Sequence, residues 1–475
     1  DLYMRTSSYI FGSLMLAACI VAFNSYLPFS DYGMKVFGVL GLIQLAYSIY
    51  SWKQITGSAI TPYVIFLISA YTFTFGQSLL FVFGKVSPER DLTDMFSPAS
   101  IMPAQYLTLL FLNFFHIGGM FSCKNSSSDS YTYEMMSPYE EQNMENQIFG
   151  IKKIGTIFLV ISIIPYIIER FTLFYVVLST GYSGIYLQEV KVGIANILSI
   201  LSQYFVPGIL CLLLVEEVKS KQRLFISLLV FEACFWLFTG GRSNGVIIAS
   251  ILLMYFHICV KPIKLKQALV IGIAGFFFIS LLGVIADTRA DSNANISETF
   301  SKSMSNSNAF YSAISEMGGS MYPMITTMEI VPEREEFRYG SSYLYSATSI
   351  IPNLGFWDLH PAMKYGNLND WLQNAMSLNY GPGYSIVAEA YINFGNLGFL
   401  MMMFLGYVFG LVFNINIRDK RNPLLIVLAF VFCFLIIKTV RNSFLATVRS
   451  IFYYIIPIYL IVVHMYNGRI NKRIE

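Results

Sequence analysis

Residues 423–440 read PLLIVLAFVFCFLIIKTV, eighteen residues whose single ionisable side chain, Lys438, lies near one end. A helix of about 20 such residues crosses a hydrocarbon core about 30 Å thick. The rest of the chain has the same character: 55% of its 475 residues are hydrophobic and 12% are charged, whereas soluble domains carry about 25% charge. This composition excludes an ordinary soluble enzyme.

Hydropathy windows of about 19 residues predict an all-α polytopic membrane protein with about twelve transmembrane helices. The predicted spans are 9–27, 34–50, 60–83, 101–121, 154–178, 196–215, 223–239, 244–259, 268–286, 384–413, 423–440 and 446–465. The tenth span contains a GxxxG pair, Gly406 and Gly410, which is typical of close packing within a helix bundle.

Basic residues give the predicted orientation. The short connections after the sixth, eighth and tenth spans each carry three Lys or Arg residues, and short cytoplasmic loops are enriched in these residues. Both termini are therefore expected in the cytoplasm. The net charge of +3 is too small a bias to suggest nucleic acid as a partner.

One connection is much longer than the others, and it divides the chain into three predicted regions. Residues 1–286 hold spans one to nine, residues 287–383 form an extracytoplasmic loop module, and residues 384–475 hold spans ten to twelve and a cytoplasmic C-terminus. The loop module contains Trp357, Trp371 and Leu344, and so much apolar surface is unusual in a flexible linker. We expect short amphipathic helices lying over the outer membrane face.

Ionisable side chains gather at the predicted outer ends of the spans. They are Arg242, Asp287, Arg289, Glu389, Lys438, Arg441 and Arg449. Charged groups in a bilayer are expensive and mark candidate functional sites. Arginine pairs bidentately with phosphate oxygens, so the cluster suits a lipid-linked pyrophosphate. The alternative for any one of them is a side chain that anchors a helix end at the interface.

Individual residues have more specific predicted roles. Arg242 follows Gly240 and Gly241, which would let the backbone approach a ligand closely. Glu389 is either a general base or the buried partner of an arginine. Asp287 is the next candidate base, and His360, beside Trp357, could contact sugar or transfer a proton. Further substrate contacts are predicted for the following residues: Arg449, Lys438, Ser243, Asn244, Tyr384 and Tyr391.

Several catalytic motifs are absent from the sequence. It has no DxD pair for a metal and nucleotide diphosphate and no P-loop. The six cysteines form no CxxC pair, so neither a disulfide framework nor a zinc site is indicated. We expect no metal and no cofactor, and a cytoplasmic nucleotide-sugar donor is disfavoured.

Two patches of sequence resemble the Wzy polysaccharide polymerases, the O-antigen or oligosaccharide repeat-unit polymerases. They are Gly240-Gly241-Arg242-Ser243 and residues 383–398, GYSIVAEAYINFGNLG. The resemblance implies a bacterial inner-membrane glycosyltransferase with a GT-C-like helical body. It carries the motif arginine onto Arg242 and the motif glutamate onto Glu389, whereas Arg289, Arg441 and His360 match by location alone.

The resemblance also implies the substrate and the location. Such enzymes join repeat units carried on undecaprenyl pyrophosphate into O-antigen, capsule or a related glycan, at the periplasmic or exterior face of the membrane. Expected partners are the lipid-linked donor and acceptor, membrane lipid, a chain-length regulator and a flippase. Two other functions remain open: a ligase that moves the glycan to a different acceptor, and a flippase or transporter for the lipid-linked oligosaccharide.

Overall fold

The fold is given by a computed structural model, in which every regular element among the described residues is helical. The described residues are 2–84, 91–123, 137–180, 194–239, 242–264, 266–272, 275, 314–315, 317–351, 357–378, 381–413 and 422–474. The helices are α1 (Leu2–Tyr26), α2 (Asp31–Thr56), α3 (Pro62–Phe81), α4 (Pro98–Cys123), α5 (Pro138–Thr180), α6 (Ile194–Ser202), α7 (Phe205–Val215), α8 (Lys219–Phe238), α9 (Arg242–Tyr255), α10 (Tyr322–Ile330), α11 (Ser341–Ala347), α12 (Leu368–Ala375), α13 (Ile386–Phe394), α14 (Gly398–Phe413), α15 (Pro423–Ile436), α16 (Phe444–Ser450) and α17 (Ile456–Ile474).

Within those residues, nine stretches are helical, long and apolar enough to cross a membrane. They are Thr6–Tyr26, Asp31–Thr56, Pro62–Phe81, Pro98–Cys123, Pro138–Ser179, Ile197–Val215, Ile386–Phe413, Pro423–Arg441 and Phe444–Met465. This confirms a helical, multi-pass membrane protein, and each of the nine corresponds to a predicted span.

The other three predicted spans are not confirmed as membrane crossings. Residues 223–239 lie in α8, which is helical but carries Lys219, Lys221, Arg223 and Glu232. Residues 244–259 form a shorter apolar helix, Asn244–Val260. Most of residues 268–286 lie outside the part of the chain that the structure describes.

The tenth predicted span is interrupted. Helix α13 ends at Phe394, a 3-10 turn covers Gly395–Leu397, and α14 continues from Gly398. Gly395 has φ +57° and ψ −134°, a conformation that only glycine adopts readily. A Cβ at this position would also lie 3.0 Å from the Phe337 ring. The interruption separates the polar start of this span from its apolar remainder.

Buried polar side chains join the first helices to one another. Gln44 of α2 donates from Nε2 to Tyr71 Oη at 2.6 Å and to the Leu109 carbonyl at 2.8 Å. His116 of α4 has Nε2 2.8 Å from Ser51 Oγ and Nδ1 3.1 Å from Tyr63 Oη. In hydrocarbon an unpaired polar group costs several kcal/mol. These bonds therefore hold α2, α3 and α4 in one arrangement.

Glycines allow α4 and α14 to pack backbone against backbone. A Cβ on Gly118 would lie 1.9 Å from the Met403 carbonyl oxygen, and a Cβ on Gly406 would lie 1.9 Å from the Phe115 carbonyl oxygen. Gly410 faces Gly119 at a similarly short range, with a Cβ 3.0 Å from the Gly119 Cα. The GxxxG pair thus serves packing within the bundle, as its spacing predicts.

We call the described residues from 314 to 378 the connecting segment. They lie between α9 and α13. They contain the short helices α10, α11 and α12, in agreement with the short helices predicted there. The segment is docked on α3: Gln77 Nε2 donates to the Ser315 carbonyl at 2.8 Å, and a Cβ on Gly318 would lie 2.3 Å from the Gln77 nitrogen. It is therefore a packed part of the fold.

We expect Gly118→Leu to separate α4 from α14. The added side chain meets backbone, which has no rotamer to change, so the loss of stability should lie at the upper end of the roughly 1–3 kcal/mol typical of overpacking. Equilibrium unfolding in detergent micelles measures it. The matched control is Gly272→Leu, because a Cβ there has no neighbour within 4 Å. Equal stability of the two variants would contradict this packing.

Candidate functional site

Glu389 lies in the first turn of α13 and joins three parts of the chain. The helix begins after Ser385, whose Oγ accepts a hydrogen bond from the Ala388 N–H at 3.0 Å. The Glu389 side chain is buried, with 1% of the residue exposed. Its Oε1 accepts from Ser342 Oγ at 2.7 Å, and its Oε2 accepts from the Phe444 N–H at 2.6 Å. The carboxylate thereby links α13 to the connecting segment and to the start of α16.

Asn393, one turn further along α13, completes this junction. Its Nδ2 donates to Ser342 Oγ and to the Glu389 carbonyl, both at 2.8 Å. Its Oδ1 accepts from the Gly340 N–H at 3.0 Å. The main chain adds a bond from the Arg338 N–H to the Ile392 carbonyl at 2.9 Å. Ser342 is thus held from two sides, which fixes the direction in which its hydroxyl donates to Glu389.

The two tyrosines predicted to bind substrate use their hydroxyl groups inside the protein. Tyr384 Oη is 2.9 Å from Thr327 Oγ1, and the Tyr384 N–H donates to the Arg441 carbonyl at 3.1 Å. Tyr391 Oη donates to the Val331 carbonyl at 3.1 Å. Both rings are buried. They frame the Glu389 junction, and their contact with substrate stays a prediction.

Tyr343 lies beside Glu389 and contributes a second polar group. Its ring packs edge-on against Phe444, with centroids 5.2 Å apart. Its buried hydroxyl has no hydrogen-bond partner among the described residues. Burial raises the pKa of the Tyr343 phenol well above its ordinary value, and the Glu389 charge raises it further. The phenol therefore keeps its proton and is available to donate.

Arg338 supplies the nearby positive charge. Its Nη1 donates to the Tyr365 carbonyl at 3.0 Å, and its guanidinium lies over the Trp371 ring, 5.2 Å from the centroid. Burial lowers the pKa of Arg338, while Glu335 and Glu389 raise it. Sequence reasoning did not identify Arg338 or Ser342. In the sequence, the only sign of a role for these two residues is that they lie close to Gly340. Their partners in α13 lie about fifty residues away, so the local sequence does not reveal these contacts.

His360 is buried and bonded to main chain at both ring nitrogens. Nε2 is 2.7 Å from the Ile351 carbonyl, and Nδ1 accepts from the Ala362 N–H at 3.0 Å. Because Nδ1 accepts, Nε2 carries the proton and donates. The Trp357 ring packs edge-on against the imidazole, with centroids 4.9 Å apart. In this arrangement His360 holds the connecting segment together, and its contact with sugar stays a prediction.

The basic residues between α15 and α17 differ in their surroundings. Arg441 is exposed and Arg449 is half-buried. Lys438 is half-buried, and its Nζ lies 5.3 Å from the centroid of the Phe434 ring. Lys438 and Arg441 lie in the 3-10 turn Ile437–Arg441 that follows α15, and Arg449 lies on α16. All three are close in sequence to Phe444, whose N–H binds Glu389.

The remaining predicted residues lie at or beyond the limits of the described chain. Arg242 and Ser243 begin α9, but their side chains are outside the described atoms. Asn244 is half-buried on the first turn of that helix. Asp287 and Arg289 lie outside the described residues. Their roles stay predictions.

A buried ion pair lies between α5 and α8, and sequence reasoning did not identify it. Arg170 Nη2 is 2.6 Å from Glu232 Oε1, and Arg170 Nε donates to Glu232 Oε2 at 3.2 Å. Tyr166 and Trp236 also donate to this carboxylate, the latter at 2.8 Å. Glu232 is 1% exposed. The two charges neutralise each other, and Lys438 lies near enough to interact electrostatically with both.

A family model described as "O-antigen polysaccharide polymerase Wzy" matches residues 6–473. No curated protein and no solved structure matches the chain. In the described part of the chain, no group of three or more His, Cys, Asp or Glu residues could hold a metal ion.

We expect Glu232→Gln to destabilise the protein by about 3–5 kcal/mol, because it leaves the Arg170 charge buried without a counter-charge. Equilibrium unfolding in detergent micelles measures the loss. Replacing both residues by leucine should recover part of it, since the double variant removes both charges. Glu217→Gln is the control, because Glu217 is exposed. A loss below about 1 kcal/mol for Glu232→Gln would show that the pair adds little to stability.

Proposed function

The chain belongs to the O-antigen polysaccharide polymerase Wzy family, and on that premise we propose that it is a glycosyltransferase that joins lipid-linked oligosaccharide repeat units. The carrier is undecaprenyl pyrophosphate, and the product is an O-antigen, a capsule or a related surface glycan. Nearly the whole chain matches the family, and its described helices suit a multi-pass membrane protein. The resemblance seen in residues 240–243 and 383–398 thus identified the right family.

The proposed location is the bacterial inner membrane, with both termini in the cytoplasm and the active site at the periplasmic or exterior face. The connecting segment, the first turn of α13 and the turn before α16 meet at one end of the bundle, where Ser342 and Phe444 both bind Glu389. The basic residues in the short connections after the sixth, eighth and tenth predicted spans support this orientation, because short cytoplasmic loops are enriched in Lys and Arg.

Glu389 is the proposed general base, and its geometry is the observation that carries the mechanism. An ionised carboxylate has about four acceptor positions, and two of them are used by Ser342 and Phe444. The other positions accept no hydrogen bond from the described residues, and one of them would accept the proton of an acceptor hydroxyl, whose oxygen then bonds to the anomeric carbon of the donor sugar. The bond from that carbon to the pyrophosphate oxygen breaks, and the electron pair leaves with lipid pyrophosphate.

The leaving pyrophosphate needs positive charge, which the basic residues of the same region would supply. We assign this role to Arg242, Arg289 and Arg441, with Lys438 and Arg449 as further contacts. Arginine suits it because its planar fork of donors matches two phosphate oxygens at once. Because pyrophosphate is a good leaving group, stabilising its charge and orienting the acceptor supply much of the catalysis. Asp287 is the next candidate base.

Purified protein in membranes should convert lipid-linked repeat unit into a ladder of longer glycans without any nucleotide sugar. A polymerase needs no other acceptor, which separates it from a ligase that requires a terminal acceptor such as lipid A core. Glycan that crosses proteoliposome membranes without change in length would instead indicate a flippase. Product that stays at one repeat unit under conditions that support folding would contradict the proposal.

We expect Glu389→Gln to fold normally and to lose roughly 10²–10⁴ in polymerisation rate, the range typical of acid–base catalysis. The glutamine carbonyl can still accept from the Phe444 N–H, and its amide can donate to Ser342 Oγ, but the Ser342 hydroxyl then loses its acceptor, so we expect a loss of stability of about 1–3 kcal/mol. The exposed residue Glu329 of α10 offers the matched control, Glu329→Gln. A stable variant with the wild-type rate, or an unfolded one, would remove Glu389 from the mechanism.

A further inference from the structure

A cavity of about 400 Å³ lies in the connecting segment, outside the Glu389 junction. Its polar lining comes from α12, from the residues just before it and from Glu335, which follows α10: Glu335, Lys364, Asn367, Asp370, Trp371 and Asn374. The volume lies within the range of about 300–1,000 Å³ found for small-molecule sites.

Trp371 is held in place by its neighbours. Its Nε1 donates to both carboxylate oxygens of Glu335, at 2.9 and 3.2 Å. The Arg338 guanidinium covers one face of the ring, and the Tyr384 ring lies against it at a centroid distance of 6.3 Å. The uncovered part of the indole lines the cavity. The ring is therefore fixed before any ligand arrives, which lowers the entropic cost of binding.

The side chains around Trp371 offer both donors and acceptors of hydrogen bonds. Asn374 is exposed on α12, and Lys364 adds an ammonium group. Asp370 adds a carboxyl group whose pKa is raised by burial. The lining holds two carboxylates and one ammonium, and the Arg338 guanidinium lies behind the Trp371 ring, so no excess of positive charge favours a phosphate or pyrophosphate there. An uncharged ligand with many hydroxyl groups would meet a partner on every side.

A fixed indole surrounded by amides and carboxylates matches the chemistry of a sugar ring. One face of a pyranose presents C–H groups to the negative face of an aromatic ring, while its hydroxyls need both donors and acceptors. We propose that this cavity is a binding subsite for an uncharged sugar residue of the glycan. The inference rests on the proposed function only for the source of that sugar, the oligosaccharide repeat unit.

The subsite lies one layer of side chains away from Glu389. Tyr384 contacts Trp371 on one side and, like Arg338, interacts electrostatically with Glu389 on the other. A glycan seated against Trp371 would therefore lead toward the proposed base without occupying it. Such a site would hold a sugar removed from the reacting one and would act on affinity for the glycan.

Binding to purified full-length protein tests the proposal without any need for catalysis. The probe is the repeat-unit oligosaccharide, released by mild acid from the lipid-linked material of the producing cells, and the measurement is its Kd by thermophoresis in detergent. Trp371→Ala should weaken binding at least tenfold. Asn374→Ala, an exposed position at which misfolding is not expected, should weaken it severalfold, by loss of one hydrogen bond. The control is Tyr339→Ala, an aromatic residue that is 76% exposed and outside the lining.

The outcomes separate this site from the proposed activity. Unchanged Kd values for both Trp371→Ala and Asn374→Ala would overturn the subsite, even in a protein that polymerises normally. The subsite would also be overturned if inorganic pyrophosphate displaced the oligosaccharide from the wild-type protein but not from Trp371→Ala. The cavity would then bind phosphate. If the wild-type protein makes no glycan ladder and the variants still bind the oligosaccharide more weakly than it does, the result would support the subsite and count against the polymerase.

Discussion

The cost of an unpaired polar group in hydrocarbon constrains every part of this fold. It requires helices, because a helix satisfies its own backbone there, and it favours a partner on another segment for a buried polar side chain. Gln44 Nε2 and His116 meet this requirement with neutral groups. Glu232 meets it with a bidentate arginine. Glu389 meets it with a hydroxyl and a backbone N–H, which leaves its charge uncancelled by any direct ion pair among the described residues.

That difference between the two buried glutamates is what distinguishes a candidate base from a structural partner. Glu232 has four donors and a neutralising cation, so nothing in its surroundings favours proton uptake. Glu389 has two neutral donors, Arg338 at longer range and, nearby, the Tyr343 phenol, which has no hydrogen-bond partner in the described part of the chain. The same hydrogen bonds join α13, the connecting segment and α16. Architecture and proposed chemistry therefore depend on one carboxylate.

Apolar length predicted the helical membrane class and the nine membrane-spanning stretches, and the patches 240–243 and 383–398 predicted the family, because these depend on local sequence. Residues 223–239 were harder, since α8 begins with Lys219, Lys221 and Arg223 and also carries Glu232. Partnerships formed in the folded chain were not predictable: Arg170 and Glu232 are 62 residues apart, and Ser342 and Glu389 are 47 apart. Each of these residues is unremarkable in its own segment. Tyr384 and Tyr391 were selected by motif, which did not reveal that their hydroxyls bond inside the protein.

The central claim is that the reaction takes place at Glu389, at the end of the bundle covered by the connecting segment. A structure of the Glu389→Gln protein with bound lipid-linked repeat unit tests it most directly. The account predicts an acceptor hydroxyl within about 2.6–3.2 Å of the side chain at position 389, the reach of a general base, and arginines around the pyrophosphate. A pyrophosphate bound at the opposite end of the helices, or a glycan that leaves position 389 untouched, would contradict it.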